Sequence, residues 1–297
     1  MVHIGKPLAG VYAAPITPRD AANQVDAAAL ARTLDFLMER GVRGFAVNGA
    51  TAEYHLNSLR DLQRILDVVA RTVEGKARFL CGIGAADFQS VIENGKMAAE
   101  AGAIGVLLPM PHFFPYDQDD LRAFCQEAAA RLSIDILLYN LPQFTSGLAV
   151  DTICDLIDGC RTIRGIKDSS GSLDALRALT ARLPQAVRLV GCDNALPQAL
   201  QEGLCDGAVS GVAGAVPELI LPFFGPANTG DAARRLEEFI ARLDRLPVPW
   251  GLKWIAEARG MAPARFSLPL SETRVCEGRR FQEWFRTWNH AGPAQRP

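Results

Sequence analysis

The chain has 297 residues, of which 49% are hydrophobic and 22% charged, and its formal net charge at pH 7 is −2. This length suits one large α/β barrel or two ordinary domains, and the composition provides a sizeable core and argues against disorder. No basic cluster is dense enough for a nucleic-acid or membrane surface, and no apolar run is long enough to span a bilayer. We therefore expect the protein to bind neither nucleic acid nor a membrane.

The seven cysteines are dispersed and include no CxxC pair. An odd, scattered set fits reduced thiols better than a disulfide framework or a zinc site. The first residues, Met-Val-His-Ile-Gly-Lys-Pro, lack a signal-peptide pattern, so we expect a cytoplasmic protein. We predict no metal, because His55 and His112 have no partner histidine or acid at ligand spacing.

Short apolar runs alternate with segments of helical periodicity along most of the chain. The predicted strands span 11–16, 44–48, 78–83, 104–108, 135–139, 163–167, 187–190 and 207–210. Helices are predicted between them, with Asp26 and Ser58 as the N-terminal caps of the first two and with the third beginning at Asp87. Later helices are predicted at 118–132, 150–157, 173–183 and 197–202.

Eight strand–helix units with continuous apolar strands indicate a parallel sheet covered by helices, and favour a closed (β/α)₈ barrel, the TIM barrel, over residues 1–225. Only helices are predicted after the eighth strand, at 217–224, 232–246, 248–259 and 275–288. We assign residues 226–297 to a C-terminal helical extension packed on the barrel. The alternative is an open doubly wound sheet, but no G-x-G-x-x-G follows the first strand.

In such a barrel, the chemistry lies at the C-terminal ends of the strands. Thr51, Tyr139, Lys167 and Asp193 fall there. A lysine that ends an apolar strand is costly to bury unless it is paired or neutral, and a neutral lysine can form a Schiff base with a ketone. Each residue also has a purely structural explanation. Lys167 could extend its side chain to solvent, Tyr139 could be a core residue, and Thr51 could stabilise a turn.

Three motifs, taken in chain order, resemble the motifs of one known family. Gly49-Ala-Thr-Ala-Glu53, Tyr139-Asn-Leu-Pro142 and Gly165-Ile-Lys-Asp-Ser-Ser-Gly171 are similar to G-[ST]-T-G-E, Y-N-x-P and G-[IVL]-K-x-[ST]-x-G of the dihydrodipicolinate synthase / N-acetylneuraminate lyase family of lysine-dependent aldolases. The likeness runs over residues 11–270. It implies a homotetramer, a dimer of dimers, and a covalent Schiff base between Lys167 and pyruvate or another 2-keto acid, with no separate cofactor.

The resemblance also implies roles for other residues. Tyr139 is expected to shuttle protons, and Ala50 and Thr51 to hold the substrate carboxylate. Ser169, Gly191 and Asp193 fall where sialate lyases bind the hydroxylated tail of their substrate, and we add Val209 and His112 as candidate substrate-binding residues.

The sequence departs from the family pattern at several places: Asn194 and Gly211 replace a glutamate and a serine of the sialate lyases, and three further departures concern the proton relay and the second carboxylate. Ala50 stands where the family usually has a serine or threonine in the proton relay. His112 is the one candidate for the tyrosine that synthases borrow from a neighbouring subunit. The segment 143–160 contains no arginine or lysine, and Phe144 stands near the place of the arginine that holds a second carboxylate in synthases.

We therefore expect a lyase that cleaves a 2-keto-3-deoxy sugar acid, or a related 2-keto acid, to pyruvate and an aldehyde. A dehydratase of similar acids is the first alternative. A dihydrodipicolinate synthase is disfavoured, and a barrel that binds keto acids without turnover ranks last. Tyr54, His55, Phe113 and Phe144 offer an alternative pocket for an apolar or aromatic aldehyde.

Overall fold

The structure, a computed structural model, describes residues 6–225 and 229–290. Eight parallel strands pair in chain order, and the last pairs with the first, which closes the barrel. They are β1 (Gly10–Ala13), β2 (Gly44–Val47), β3 (Arg78–Gly82), β4 (Gly105–Pro109), β5 (Ile136–Asn140), β6 (Ile163–Asp168), β7 (Val187–Val190) and β8 (Gly207–Ser210). The predicted (β/α)₈ barrel is confirmed, and the open doubly wound sheet is wrong.

A helix follows each strand. The helices are α1 (Ala27–Glu39), α2 (Leu59–Val73), α3 (Phe88–Glu100), α4 (Gln118–Arg131), α5 (Val150–Gly159), α6 (Asp174–Arg182), α7 (Leu196–Gln201) and α8 (Thr229–Leu243), with α9 (Trp250–Ala258) and α10 (Glu272–His290) beyond them. The two predicted caps, Asp26 and Ser58, are confirmed, and the structure shows that Asp87 caps the third helix: each of these side chains accepts a hydrogen bond from a backbone N–H of the first turn.

Proline decides the two clearest differences from the prediction. β1 ends at Ala13 rather than at residue 16, and Pro15 has no N–H with which to extend the ladder. The segment 217–224 is not one helix but two 3₁₀ turns, Pro217–Leu219 and Leu221–Phe224. Pro222 cannot donate the hydrogen bond that a continuous helix needs at that position.

Alternate residues of the strands face the inside of the barrel. This interior is apolar, and its cluster of buried side chains contains Leu8, Tyr12, Ala14, Ala46, Leu80, Leu107, Leu137, Tyr139, Leu141, Val187, Leu189 and Val209. Ile166 belongs instead to the large outer core between the strands and the helices. The neighbouring Lys167 therefore points into the barrel, beside the apolar interior.

The C-terminal helices are joined to the barrel by a buried ion pair. Lys253 on α9 donates to the carboxylate of Glu53, which follows β2, and the Ser267 hydroxyl donates to the same carboxylate at 3.2 Å. Lys253 and Glu53 are 2% and 6% exposed. The division at residues 225 and 226 stays a prediction, and residues 226–228 and 291–297 lie outside the described part of the chain.

None of the helices in residues 6–225 and 229–290 combines the length and the apolar character needed to cross a membrane.

Lys253→Met should destabilise the protein strongly, because it leaves the Glu53 carboxylate buried without its cation. Breaking a buried pair from one side typically costs about 3–5 kcal/mol in the free energy of unfolding. Urea denaturation followed by circular dichroism measures this loss. Arg177→Met, which breaks the exposed pair with Glu202, is the control and should leave stability unchanged. Equal stabilities of the two variants would contradict the structural importance of the Glu53–Lys253 pair.

Candidate active site

The site is centred on two side chains from adjacent strands. Tyr139 near the end of β5 and Lys167 near the end of β6 are direct register partners in the sheet. Both positions face the barrel interior, so the two side chains meet at the C-terminal mouth. The Lys167 Nζ lies 3.7 Å from the centroid of the Tyr139 ring, within the range of a cation–π contact.

Burial makes Lys167 a poor base. The residue is 5% exposed, and desolvation of its ammonium lowers the pKa to about 7, against a smaller opposing effect of the Asp193 carboxylate. A lysine with this pKa has a large neutral fraction at neutral pH. Its amine can therefore attack a carbonyl carbon, which an ordinary surface lysine does rarely.

Asp193, in the loop after β7, is the acidic group that faces Lys167. Burial raises the pKa of Asp193 to about 6, and the Ser210 hydroxyl, the Val212 N–H and Lys167 each offset part of the rise. The Val212 N–H donates to Asp193 Oδ2 at 3.1 Å, which fixes the carboxylate. Asp193, a predicted substrate-binding residue, thus lies beside Lys167. We call the space around Tyr139, Lys167 and Asp193 the inner site.

Gly191 and Ser169 shape the space around the lysine. A Cβ added at Gly191 would lie 2.8 Å from Lys167 Cε and would collide with Ser169 Oγ, so the lysine side chain passes over this glycine. The Ser169 hydroxyl is buried and makes no hydrogen bond to any residue of the described ranges. It is therefore available to a bound molecule.

Tyr139 keeps its proton at neutral pH. Its ring is buried, and desolvation raises the pKa of the phenol to about 12. The Ser169 hydroxyl and the Ala50 backbone N–H face the phenol and partly offset this rise, although Ser169 Oγ lies outside hydrogen-bond geometry. Tyr139 is thus positioned to donate a proton at the mouth.

The loop after β2 brings Ala50 and Thr51 to the same mouth. Ala50 reaches Tyr139 through its backbone N–H. A Cβ added at Gly211 would lie 3.2 Å from Thr51 Oγ1, which places the Thr51 hydroxyl next to the loop after β8. Within the described residues, the Thr51 N–H donates to no acceptor, so it is free to bind an anion.

A cavity of about 390 Å³ opens outward from this mouth. We call it the outer cavity. Its apolar lining includes Leu141, Phe144, Val248, Trp250 and Leu268, and its polar lining includes Glu53, Tyr54, His55, His112 and Ser267. Tyr54 contacts both imidazoles edge-on, with ring centroids 6.1 Å from His55 and 6.4 Å from His112. Ala50 also lines the cavity, and joins it to the inner site.

The remaining candidate residues occupy different places. His112 lies in the outer cavity rather than beside Lys167. Val209 is buried in the barrel interior, in the same cluster as Tyr139. Phe113 is 87% exposed and does not line the outer cavity, whereas Tyr54, His55 and Phe144 do. Roles in substrate binding for these residues stay predictions.

Comparison with known proteins supports the family resemblance found in the sequence. Residues 7–282 match the model of the dihydrodipicolinate synthetase family. The chain belongs to this family. An uncharacterised DapA-like lyase of Halobacterium salinarum is 28% identical over 90% of each chain, and the 4-hydroxy-tetrahydrodipicolinate synthase of Bacillus subtilis is 27% identical over 88% of this chain and 92% of its own. The predicted resemblance is confirmed.

The family's fold is shared as well. The crystal structure of N-acetylneuraminate lyase from Mycoplasma synoviae superposes with a TM-score of 0.81 at 21% identity, and covers 95% of this chain and 97% of its own. Members of the family are lyases, and this chain is therefore an enzyme of that class. The relatives carry different activities in their names, so membership leaves the substrate open.

Several residues of this site escaped the sequence analysis. Glu53, Lys253 and Ser267 come together from three distant segments, and Ser210 approaches Asp193 from the neighbouring strand β8. One local signal was present: Lys253 is the single charge in Trp250-Gly-Leu-Lys-Trp-Ile-Ala256, and a lysine in an apolar helical stretch indicates a buried partner.

In the described ranges, no group of three or more His, Cys, Asp or Glu side chains is arranged to hold a metal ion.

The depressed pKa of Lys167 predicts an unusual pH profile for its amine. Its acetylation by acetic anhydride should rise through pH of about 7, whereas a lysine in a short peptide titrates near ~10.4. Asp193→Asn should lower the midpoint further, because it removes the carboxylate that raises the lysine pKa. Peptide mapping by mass spectrometry at a series of pH values measures both midpoints. A wild-type midpoint near that of the peptide would show that the lysine is not desolvated.

Proposed function

We propose that this protein is a Schiff-base aldolase, which cleaves a 2-keto acid with a hydroxyl at C4 reversibly to pyruvate and an aldehyde. The observation that carries the proposal is the buried Lys167, whose pKa is lowered to about 7 and whose Nζ lies against the Tyr139 ring. The 2-keto-3-deoxy acids, including sugar acids, have this carbon skeleton.

The first step forms the covalent bond to the enzyme. The neutral amine of Lys167 attacks the C2 carbonyl, and the carbinolamine loses its oxygen as water to give an iminium. Tyr139, protonated at neutral pH because its pKa is raised to about 12, donates a proton to the departing oxygen. The free N–H of Thr51 and the Thr51 hydroxyl hold the substrate carboxylate.

The second step breaks the C3–C4 bond. The Tyr139 phenolate left by the first step takes the proton of the C4 hydroxyl, the aldehyde forms, and the bonding electrons move into the iminium to give an enamine. Protonation at C3 and hydrolysis by water then release pyruvate and the free lysine. The iminium itself accepts the electrons, so this chemistry needs no other cofactor.

The alternatives differ in their products. A dehydratase would use the same iminium but release water from the substrate rather than an aldehyde, and a non-catalytic barrel would release neither. A synthase acting on aspartate semialdehyde is disfavoured, because 143–160 lacks an arginine or lysine and the outer cavity has none in its lining. A homotetrameric state and a cytoplasmic location, both expected from the sequence, stay predictions.

Borohydride should trap the iminium. Incubation with pyruvate and sodium borohydride should add the mass of one reduced pyruvate to Lys167 and to no other lysine. Lys167→Ala should not be labelled. Intact-protein mass spectrometry followed by peptide mapping decides the result, and an unmodified wild type under saturating pyruvate would overturn the mechanism.

A glycine variant tests the geometry in the same assay. Gly191→Ala should greatly reduce labelling, because its Cβ would lie 2.8 Å from Lys167 Cε. Gly159→Ala is the matched control, since nothing lies within 4 Å of a Cβ at that position, and it should label as the wild type does.

Tyr139→Phe separates binding from cleavage. The variant keeps the ring and loses the hydroxyl, so packing should survive. Cleavage of a 2-keto-3-deoxy acid, scored by pyruvate released, should fall about 10²–10⁴-fold, the usual loss for one general acid–base group. Iminium formation should slow but remain trappable, because Lys167 is intact. Cleavage within about threefold of the wild type would make Tyr139 a packing residue.

A further inference from the structure

The outer cavity is the part of the site that the mechanism leaves unused. It adjoins the reacting centre through Ala50, whose N–H faces the Tyr139 phenol, and through Tyr54, whose pKa is raised to about 12 by burial and by the nearby Tyr139. Its volume of about 390 Å³ lies within the range of small-molecule pockets. An aldehyde released beside Tyr139 in the proposed aldol reaction therefore has this space next to it.

Apolar side chains make up much of the wall of the cavity, and they come from separate parts of the chain. Phe144 lies in the loop after β5, Val248 precedes α9, and Leu268 follows α9. They are 61%, 58% and 63% exposed. Exposed apolar side chains that converge on one concave surface indicate a binding site, whereas scattered ones do not. Leu141 and the Trp250 ring complete this wall.

The lining of the cavity contains neither a guanidinium nor an ammonium that could pair with a charged ligand. The ammonium of Lys253, which reaches the lining residue Glu53, is already paired with that carboxylate. Burial also lowers the pKa of His55, which keeps this imidazole neutral at neutral pH. A carboxylate or phosphate placed here would lose its water without gaining an arginine or lysine partner.

A polyhydroxylated tail fits the cavity poorly for a related reason. Ser169 and Asp193, the polar residues expected to bind such a tail, lie beside Lys167 and do not line the cavity. Of the polar groups in the lining, Glu53 and Ser267 are already hydrogen-bonded to each other, and Glu53 is also paired with Lys253. Hydroxyls placed against Phe144, Trp250 and Leu268 would lose water without gaining a hydrogen bond from these apolar side chains, which costs free energy for each one. A flat apolar group loses nothing there and gains contact with aromatic rings.

We infer that the aldehyde half of the substrate is an uncharged, apolar and flat group, so that the cleaved compound is a 4-aryl-4-hydroxy-2-keto acid and the aldehyde is an aryl aldehyde. This inference rests on the proposed aldolase function and names its substrate class. It replaces the sugar-acid tail expected from sequence with an aromatic one.

The test compares three aldehydes in condensation with pyruvate by the full chain. Benzaldehyde, glyceraldehyde and aspartate semialdehyde represent aryl, hydroxylated and charged tails. We expect kcat/KM for benzaldehyde to exceed each of the others at least tenfold, about the smallest discrimination that one apolar contact gives. Equal or better use of glyceraldehyde or aspartate semialdehyde would overturn the inference.

Variants locate the preference in the cavity. Phe144→Ser and Leu268→Ser should each lower kcat/KM for benzaldehyde about tenfold or more and leave pyruvate labelling of Lys167 unchanged. Both residues are largely exposed, so the fold should survive. Leu59→Ser is the control, because Leu59 is 46% exposed and lies outside the cavity. If neither cavity variant lowers benzaldehyde use, the inference is wrong.

The labelling assay separates the two levels of the proposal. If pyruvate and borohydride do not label Lys167 in the wild type, the aldolase function fails and the substrate class fails with it. If Lys167 is labelled but benzaldehyde is not preferred, the aryl class alone fails.

Discussion

The chemistry that we propose for this protein depends on the cost of keeping one ammonium ion out of water. Lys167 lies inside an apolar barrel, and the loss of hydration lowers its pKa to about 7 despite the facing Asp193. The same environment raises the pKa of Tyr139 to about 12. One physical cause, desolvation, therefore prepares a nucleophilic amine and a protonated phenol side by side.

The surrounding residues are small or polar where the barrel core would otherwise be filled. Gly191 leaves room for the lysine side chain, Ala50 presents a backbone N–H to the phenol, and the Ser169 hydroxyl stays without a partner. A core selected for stability alone would replace these groups with packed apolar side chains. Local departures of this kind are typical of functional sites, and here they surround a single amine.

The C-terminal extension belongs to the site as well as to the fold. Lys253 on α9 holds Glu53, whose backbone adopts a left-handed conformation with φ of 53° in the loop that carries Ala50 and Thr51. The first residue of α9 and the segments on either side of the helix then supply Trp250, Val248 and Leu268 to the outer cavity. The barrel alone would thus offer the lysine and the tyrosine, whereas the extension supplies much of the wall of the cavity that we propose for the aldehyde.

The sequence by itself determined the alternation of strands and helices, the helix caps, and the placement of Tyr139 and Lys167 at the mouth of a closed barrel. These features depend on short apolar runs and helical spacing, on Asp and Ser before helices, and on the shared edge of parallel strands, and the first two of these are local properties. The local effect of proline was underestimated in two predictions: β1 ends earlier than predicted, and the segment 217–224 is not a continuous helix.

Only the tertiary structure decided which residues separated by long stretches of chain meet. The Glu53–Lys253 pair joins positions two hundred residues apart, and the outer cavity combines Phe144 with Val248 and Leu268. The tertiary structure also places His112 in the outer cavity rather than beside Lys167, and it places Phe113 outside that cavity. Burial, and with it the size of each pKa shift, is a property of the closed barrel and not of any short stretch of sequence, because desolvation depends on every element packed around the group.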